Sequence, residues 1–239
     1  MSIRDSRMSQ YIVRLMSTAL LVVGLYPLSV QAEWMLSVYG GIAHTLDSDV
    51  TLKMPEDTHL TYHNVSWDDD SFQEPQYFGL RLTYWFSRQS PWGVAVDFTH
   101  SKMIAELDEE VSVTGRRDGE VVNAREGLGD SFLKLEFSHG QNLLTANVLY
   151  RWLTQSRRSW LHRFEPYVGL GAGAAIPHVE VQAGPLPTGN YQLADPAFQG
   201  LAGLNIDLIK HLSVFTELRL SYAHIEADLR GGGSLETDA

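Results

Sequence analysis

The sequence predicts an all-β protein, an antiparallel transmembrane β-barrel of the eight-stranded type that spans bacterial outer membranes. Three observations lead to this fold class. Apolar and polar residues alternate with the period of a β-strand in several separate segments. Aromatic residues gather at the ends of the apolar faces, where the two interfaces of a bilayer would lie. The connections between the segments are alternately long and short, as they are in outer-membrane barrels.

The alternation gives the strands in chain order. The four clearest are QYFGLRLTYWF, WGVAVDFTH, NLLTANVLYRW and HLSVFTELRLSYAH. Three further segments, near residues 34–43, 165–176 and 198–209, follow the same scheme more loosely and contain many Gly and Ala residues. Seven strands are therefore predicted.

The two faces of these strands carry different residues. A soluble sandwich also buries an apolar face and wets the other, so alternation alone does not identify a membrane protein. In this chain, however, charged residues stand in the middle of the polar faces, as a small barrel with a packed polar interior would need. These residues are Arg81, Asp97, Arg151, Glu217 and Arg219. The aromatic residues at the ends of the apolar faces are Trp34, Tyr84, Trp85, Phe86, Trp92, Tyr150, Trp152 and Tyr222.

The connections are predicted as long outer loops and short periplasmic turns. The long loops are 44–76, 101–140 and 177–197, and the short turns are 87–91, 153–163 and 209–211. A bacterial single-chain barrel normally has an even number of strands, because an open edge in lipid leaves backbone groups unpaired. The sequence ends in LRGGGSLETDA where an eighth strand would follow, so we expect the last strand to be missing from this chain. The alternative is that the N-terminal segment closes the sheet.

The N-terminus predicts export from the cytoplasm. Three arginines precede the apolar run LMSTALLVVGLYPLSV, and the following VQA has the small-residue pattern of a signal-peptidase site ending at Ala32. Pro27 interrupts the run, which favours a cleaved signal over a membrane anchor. We therefore expect a signal peptide over residues 1–32 and an outer-membrane barrel domain, C-terminally incomplete, over residues 33–239.

Composition excludes several function classes. The 239 residues carry a net charge of −11, which disfavours an electrostatic grip on nucleic acid. The chain has no Cys, which excludes disulfides and thiolate metal sites. Histidine and carboxylate side chains remain as the available strong metal ligands.

Histidines collect where the predicted strands meet the long loops. They are His44, His100, His178 and His224, which follow the first, third, fifth and seventh strands, and His139, which precedes the fourth. Carboxylates accompany them, and Glu180 shares a strand face with His178 because the two lie two residues apart. His100 and His224 have the parity of the lipid-facing residues, which directs them outward at head-group height.

Three interpretations of these histidines stay open at this point. They are polar residues of the interface, or contacts to the phosphates of lipopolysaccharide, or a metal site of two histidines and one carboxylate able to handle oxygen. A separate acidic run, WDDDSF with Asp68, Asp69 and Asp70, is either a solvated loop or a divalent-cation site. The run GLGAGAA predicts close strand packing rather than a nucleotide-binding loop, since no helical pattern follows it.

Several segments of this sequence resemble the outer-membrane lipid A oxidase family. They are EWMLSVYGGIAHTLDSDV, WDDDSFQEPQYFGLRLTYWF, VAVDFTHSK, LEFSHGQNLLTANVLYRW, PYVGLGAGAAIPHVEV, YQLADPAFQGLAGL and ADLRGGGSLETDA, which together cover most of the chain after residue 32. The resemblance implies an enzyme that oxidises the proximal glucosamine of lipid A to 2-aminogluconate with O2 and releases hydrogen peroxide. It also implies lipid A or lipopolysaccharide, the outer membrane and the barrel assembly machinery as partners.

Oxidation of a sugar by O2 calls for a redox cofactor, and a small packed barrel has more room for a metal than for a flavin. The candidate catalytic and metal-binding residues are His44, His100, His178, Glu180 and His224. His139 is expected to matter less than His178. The alternatives are a non-enzymatic barrel whose loops bind cations or partners, and an acyl-modifying barrel with a nucleophilic serine.

Overall fold

The computed structural model describes residues 32–154, 160–193 and 196–239. The ordered structure in these ranges is almost entirely antiparallel β-sheet, which confirms the predicted all-β class. The predicted signal peptide lies outside the described residues apart from Ala32. Within the described ranges, no helix combines the length and the apolar character needed to cross a membrane.

Sixteen strands are present in the described part of the chain, together with one short α-helix and one 3-10 turn. The strands are β1 (Glu33–Gly40), β2 (Ser48–Met54), β3 (Thr58–Val65), β4 (Trp67–Asp68), β5 (Phe78–Trp85), β6 (Trp92–Ser101), β7 (Ile104–Ala105), β8 (Glu110–Arg117), β9 (Glu120–Gly127), β10 (Lys134–Glu136), β11 (Gln141–Arg151), β12 (Phe164–Gln182), β13 (Thr188–Tyr191), β14 (Pro196–Ile209), β15 (Leu212–Asp228) and β16 (Ser234–Asp238). The helix α1 is Leu128–Ser131 and the 3-10 turn is Trp160–Arg163.

The seven predicted strands form one continuous antiparallel sheet, the main sheet. Its order is β1-β5-β6-β11-β12-β14-β15, so each strand pairs with its neighbours among the seven. Strands β12 and β15 extend well beyond their predicted ends, to Gln182 and Asp228. The glycine run of β12 packs as predicted, because a Cβ on Gly173 would lie 1.9 Å from the carbonyl oxygen of Leu144 on β11.

The inner face of the main sheet carries a buried network of ion pairs. Arg81 is 3% exposed and donates two hydrogen bonds to the Glu217 carboxylate, at 2.6 and 2.8 Å, and one to Asp97 Oδ2 at 2.7 Å. Arg219 donates to the same two carboxylates, at 3.1 Å to Asp97 and 2.9 Å to Glu217. Two guanidinium groups therefore neutralise two carboxylates, which is what makes burial of all four tolerable. The charged residues predicted for the polar faces lie inside.

The outer face of the main sheet is apolar and exposed. Its exposed side chains, here called the outer belt, include Trp34, Leu36, Val38, Leu80, Leu82, Val94, Val96, Leu144, Val148, Leu170, Phe198, Leu218 and Leu220. Leu170 and Leu218 are 75% and 78% exposed. Soluble monomers rarely expose a contiguous apolar surface of this extent. The outer belt is therefore an unusually apolar exposed surface.

The two edge strands of the main sheet approach each other through their side chains. The Tyr39 ring on β1 lies 6.1 Å from the Phe215 ring on β15, and Arg219 Nη1 donates to Tyr39 Oη at 2.6 Å. No backbone pairing joins β1 to β15 in the part of the chain that the structure describes. The main sheet therefore curls on itself without closing into a barrel within the described residues.

The predicted long connections do join consecutive strands of the main sheet, but each of them contains strands where irregular loops were expected. Strands β2–β4, β7–β10, β13 and β16, with the projecting ends of β12 and β15, form a second structure that we call the apical layer. One sheet runs β15-β16-β2-β3-β8-β9 and another runs β4-β7-β10-β12-β13. Their common core consists of Val50, Leu52, Leu60, Tyr62, Val65, Trp67, Met103, Ala105, Val111, Val113, Leu128, Phe132, Leu135, Phe137, Val179, Val181, Ile225, Ala227, Leu229 and Leu235. Burial of these apolar side chains stabilises the strands, although the charged residues scattered through the segments had predicted loops.

A strand also forms at LRGGGSLETDA, where the sequence was expected to lack one. Strand β16 pairs with β15 from Asp228 opposite Ser234 to His224 opposite Asp238. Ala239 continues the ladder, because its N–H and carbonyl group both bond to the backbone of Ala223, at 2.9 and 2.7 Å. Strand β16 thus lies on the same side of β15 as the unpaired edge of the main sheet.

Candidate functional site

Strand β12 keeps one inward face along its whole length, while its outward face changes from apolar to ionic. Val179 and Val181 point into the apical core and are 0% and 2% exposed. On the other face, Leu170 belongs to the outer belt, and His178 and Glu180 follow the same parity further along. The alternation therefore continues through the proline at position 177. The His178–Glu180 pair stands on the outer surface, immediately beyond the apolar part of the strand.

Four side chains converge on the Glu180 carboxylate, and we call this group with Glu180 the Glu180 cluster. His178 Nδ1 lies 3.1 Å from Glu180 Oε1, and His139 Nδ1 contacts the same oxygen. Lys134 Nζ contacts the other oxygen, Oε2. Ser138 Oγ donates to Oε1 at 3.3 Å. Two imidazole nitrogens and one ammonium group therefore meet at one carboxylate.

Strand pairing positions these residues. Strand β10 pairs with β12 in a register that sets Glu136 opposite Glu180, and Lys134 Nζ, 2.5 Å from Glu136 Oε1, bridges the two carboxylates. The turn after β10 then brings in His139. Gly140 takes a φ of +121°, which favours glycine, and its carbonyl accepts the N–H of His178 at 2.8 Å. The turn is thus tied to β12 next to the cluster.

Aromatic contacts fix the two imidazole rings. The His178 ring meets the Tyr191 ring of β13 at 4.6 Å between centroids and the His139 ring at 5.1 Å, with interplanar angles of 66° and 63°. The Tyr191 hydroxyl donates to the carbonyl oxygen of His139 at 3.3 Å. His139 is 63% exposed, whereas the side chains of His178 and Glu180 are 19% and 12% exposed. The cluster is therefore open to solvent at His139 and at Lys134, the latter with a side chain that is 44% exposed.

The charge balance keeps Glu180 ionised. Burial raises the pKa of its carboxyl group, but hydrogen bonds and Coulombic attraction from Lys134 and His139 outweigh burial and lower the pKa to about 2. Burial lowers the pKa of Lys134, and its contacts with Glu136 and Glu180 outweigh that effect and raise it. Glu180 is thus a fixed negative charge, suited to holding a cation and unsuited to taking up a proton near neutral pH.

A cleft adjoins the cluster. It has a volume of about 260 Å³ and is lined by Lys134, Glu180, Val181, Gln182, Pro187, Thr188, Gly189 and Arg230. The backbone N–H of Arg230 donates to Thr188 Oγ1 at 2.9 Å, which attaches the segment after β15 to β13. Two cationic side chains, Lys134 and Arg230, and one carboxylate, that of Glu180, line this cleft beside the histidines.

The structure does not bring His44 or His224 to the Glu180 cluster. His44 is 81% exposed, with Nδ1 4.0 Å from Asp69 Oδ2. His224 pairs with Asp238 at 2.8 Å on the outer face of β15. Asp69 itself is 7% exposed and binds the backbone N–H and the hydroxyl of Thr45 at 2.8 and 2.5 Å. Asp69 therefore anchors the segment after β1, which corrects the interpretation of WDDDSF as a solvated loop for this residue.

His100 supports the cluster from beneath. It has the outward parity predicted for it, but it is only 6% exposed, stacked on Phe78 at 5.0 Å. Its Nδ1 lies 2.9 Å from Asn142 Oδ1, and Asn142 in turn donates to the Ile176 carbonyl at 3.1 Å. A Cβ on Gly140 would lie 2.6 Å from the His100 ring. His100 therefore packs under the turn that carries His139.

Sequence reasoning found His178 and Glu180 but ranked His139 below them and missed Lys134. A usable signal was present in KLEFSH, where Lys134, Glu136 and Ser138 alternate with apolar residues. That pattern indicates a short strand with a polar outer face. Within the described ranges, His139, His178 and Glu180 form the one group of at least three His, Cys, Asp or Glu residues whose donor atoms lie within 4.8 Å of one another.

Comparisons of this chain with protein-family models, with curated proteins and with solved structures found no match.

Proposed function

We propose that this chain is an outer-membrane barrel enzyme that oxidises the proximal glucosamine of lipid A to 2-aminogluconate with O2. The observation that carries the proposal is the position of the Glu180 cluster. It stands on the outward face of β12 directly beyond the outer belt. If lipid covers the outer belt, the cluster lies at the level of the lipid head groups, where the lipid A sugars are.

The reaction balances with O2 as the oxidant. The hemiacetal carbon of a proximal glucosamine with a free anomeric hydroxyl loses two electrons and two protons, which reduce O2 to hydrogen peroxide. The sugar becomes a lactone, and water opens the lactone to the acid. A redox metal, when bound, supplies the electron transfer to O2 that organic side chains do not provide.

The residues of the chain have separate roles in this proposal. Lys134 and Arg230 bind an anionic group of the lipopolysaccharide in the cleft beside the cluster. The hydroxyl proton passes to solvent, which reaches the cluster at His139, a residue with a side chain that is 63% exposed. His178 and Glu180 hold the reacting centre in place, since both project from one rigid strand.

Mass spectrometry of lipid A tests the proposal. Lipid A from cells that express the chain should gain one oxygen atom on the proximal sugar, and His178→Ala and Glu180→Ala should abolish the gain. Both variants should still show the heat-dependent migration of a folded barrel, because these side chains lie outside both cores. His224→Ala is the matched control, since it removes a histidine paired with a carboxylate on β15. Unmodified lipid A with folded wild-type protein would refute the proposal.

A non-enzymatic barrel is the second candidate, and one observation favours it. Each oxygen of Glu180 already has a partner in Lys134, His139 or His178, as in a purely structural ion-pair network. This candidate predicts unchanged lipid A together with altered sensitivity of the cells to detergent or chelator.

An acyl-modifying activity finds less support in the geometry. Ser138 lies 3.5 Å from His139 Nδ1, but the same nitrogen already contacts Glu180. A serine-histidine-acid triad needs the serine and the acid on opposite nitrogens of the ring. Loss of an acyl chain in the same mass spectrum would select this function.

A further inference from the structure

We propose that His139, His178 and Glu180 form a site for one transition-metal ion, and that Lys134 competes with the metal for Glu180. The inference rests on the proposed function for its biological role, since the metal would be the redox centre of the oxidation. Metal binding itself can be measured without that reaction. The site differs from the histidine set predicted from the sequence, because it includes His139 and leaves out His44, His100 and His224.

The three donors converge without any rearrangement of the backbone. His178 and Glu180 project from one face of β12, and β10 pairs with that strand on one side and β13 on the other. The turn that carries His139 is tied to β12 by the hydrogen bond from His178 N–H to the Gly140 carbonyl. Because the elements are held in place, little conformational entropy is lost when an ion binds.

The donor set selects a class of metal. Two imidazole nitrogens and one carboxylate oxygen suit iron(II), cobalt(II) and zinc(II), whereas calcium and magnesium prefer sites made of oxygen. Three protein ligands leave coordination positions open, as in catalytic rather than structural sites. The open side faces solvent at His139, and the cleft of about 260 Å³ begins at Glu180, so a small ligand has a path to the ion.

Lys134 gives the site a built-in competitor. Its ammonium group contacts Oε2 of Glu180 and lies 2.5 Å from Glu136 Oε1. A divalent ion at Oε1 of Glu180 would stand close to this positive charge. Removal of the charge should therefore tighten metal binding, whereas removal of a donor should weaken it. A purely structural ion-pair network does not predict that one replacement strengthens metal binding while the replacement of a neighbouring residue weakens it.

The test is a cobalt(II) titration of the full chain, purified without a histidine tag in detergent micelles, and followed by the visible absorption of the bound ion. Zinc(II) titration calorimetry measures stoichiometry in parallel. We expect one ion per chain. Replacements His139→Ala, His178→Ala and Glu180→Gln should each weaken binding by ~100-fold or more, since even outer-shell partners contribute ~10–100-fold. Lys134→Met should tighten it by roughly two- to fivefold, the range of an exposed ion pair.

The controls are His224→Ala and His44→Ala, which should leave the affinity unchanged. If the controls weakened metal binding as much as the donor replacements do, the ion would be bound adventitiously by surface histidines and the inference would be overturned. The absence of a saturable cobalt spectrum would overturn it as well. Weaker binding in Lys134→Met would also overturn the competition. Saturable binding with unmodified lipid A would support the site and refute the oxidase. Oxidised lipid A from a chain that binds no metal would support the oxidase and refute the metal site.

Discussion

Replacement of Arg81 by Met tests whether the inner network is held together by charge balance. In the native network two guanidinium groups, Arg81 and Arg219, face two carboxylates, Asp97 and Glu217, and the sum is zero. Without Arg81 one positive charge remains against two negative charges, so one buried carboxylate is left uncompensated. Removing one partner of a buried pair costs about 3–5 kcal/mol, and we expect the free energy of unfolding to fall by that amount.

The measurement is urea unfolding at neutral pH in lipid vesicles, followed by tryptophan fluorescence. The double variant Arg81→Met with Glu217→Gln restores neutrality and leaves the Arg219–Asp97 pair, so it should be more stable than Arg81→Met alone. Arg116→Met is the control, because its ion pair with Asp57 is exposed and worth less than about 1 kcal/mol. Charge balance would be refuted if Arg81→Met lowered the free energy of unfolding by no more than Arg116→Met does. It would also be refuted if the loss in the double variant equalled the sum of the losses in the two single variants.

Three further predictions concern the apical core, the outer belt and Glu180. Leu60→Ala removes a side chain that is 2% exposed and should cost about 2–5 kcal/mol in the same urea assay; a loss below about 1 kcal/mol would mean that the apical layer is not tightly packed. Leu170→Arg should cost about 2–4 kcal/mol in vesicles if lipid covers the outer belt, and equal stability to the wild type would contradict that position. Glu180 has a pKa lowered to about 2 from 4.5, so its ionised form stabilises the fold above about pH 4.5 and this contribution is lost as the pH falls through 2. The stability difference between wild type and Glu180→Gln should therefore shrink over that interval, and a difference that stays constant would show that the ion pairs contribute nothing.

The main sheet could be predicted from the sequence because each of its strands is recognisable from the alternation of neighbouring residues. The alternation around Arg81 and Asp97 separates an apolar from a polar face within a few residues, and the same rule holds in each of the seven strands. The alternation continues along β12 as far as Val181, past Pro177, so the outward direction of His178 and Glu180 is a finding of the structure.

The apical layer and the full site depended on pairings between distant segments. Strand β16 pairs with β2, which brings Lys53 to Glu236 across 183 positions of sequence. His139 reaches Glu180 only because β10 pairs with β12 in one particular register. No local pattern specifies such a register, and the polar residues in HLTYHNV and KLEFSH made short amphipathic strands resemble loops.

The apical core is assembled from four separate stretches of chain, and this has a consequence for the order of folding. The first is β2–β4, between β1 and β5, and the second is the segment 103–137, between β6 and β11. The third is the projecting end of β12, and the fourth is the projecting end of β15 together with β16. Each stretch alone buries little apolar surface. Closing the long loops between the stretches costs conformational entropy, and the contacts of the core offset this cost only when all four stretches are present. The apical core should therefore form late, after the main sheet has brought the four stretches to one end. Since two of the three donors of the Glu180 cluster lie on β12 and the third on the turn after β10, metal-binding competence would be acquired only in that last step.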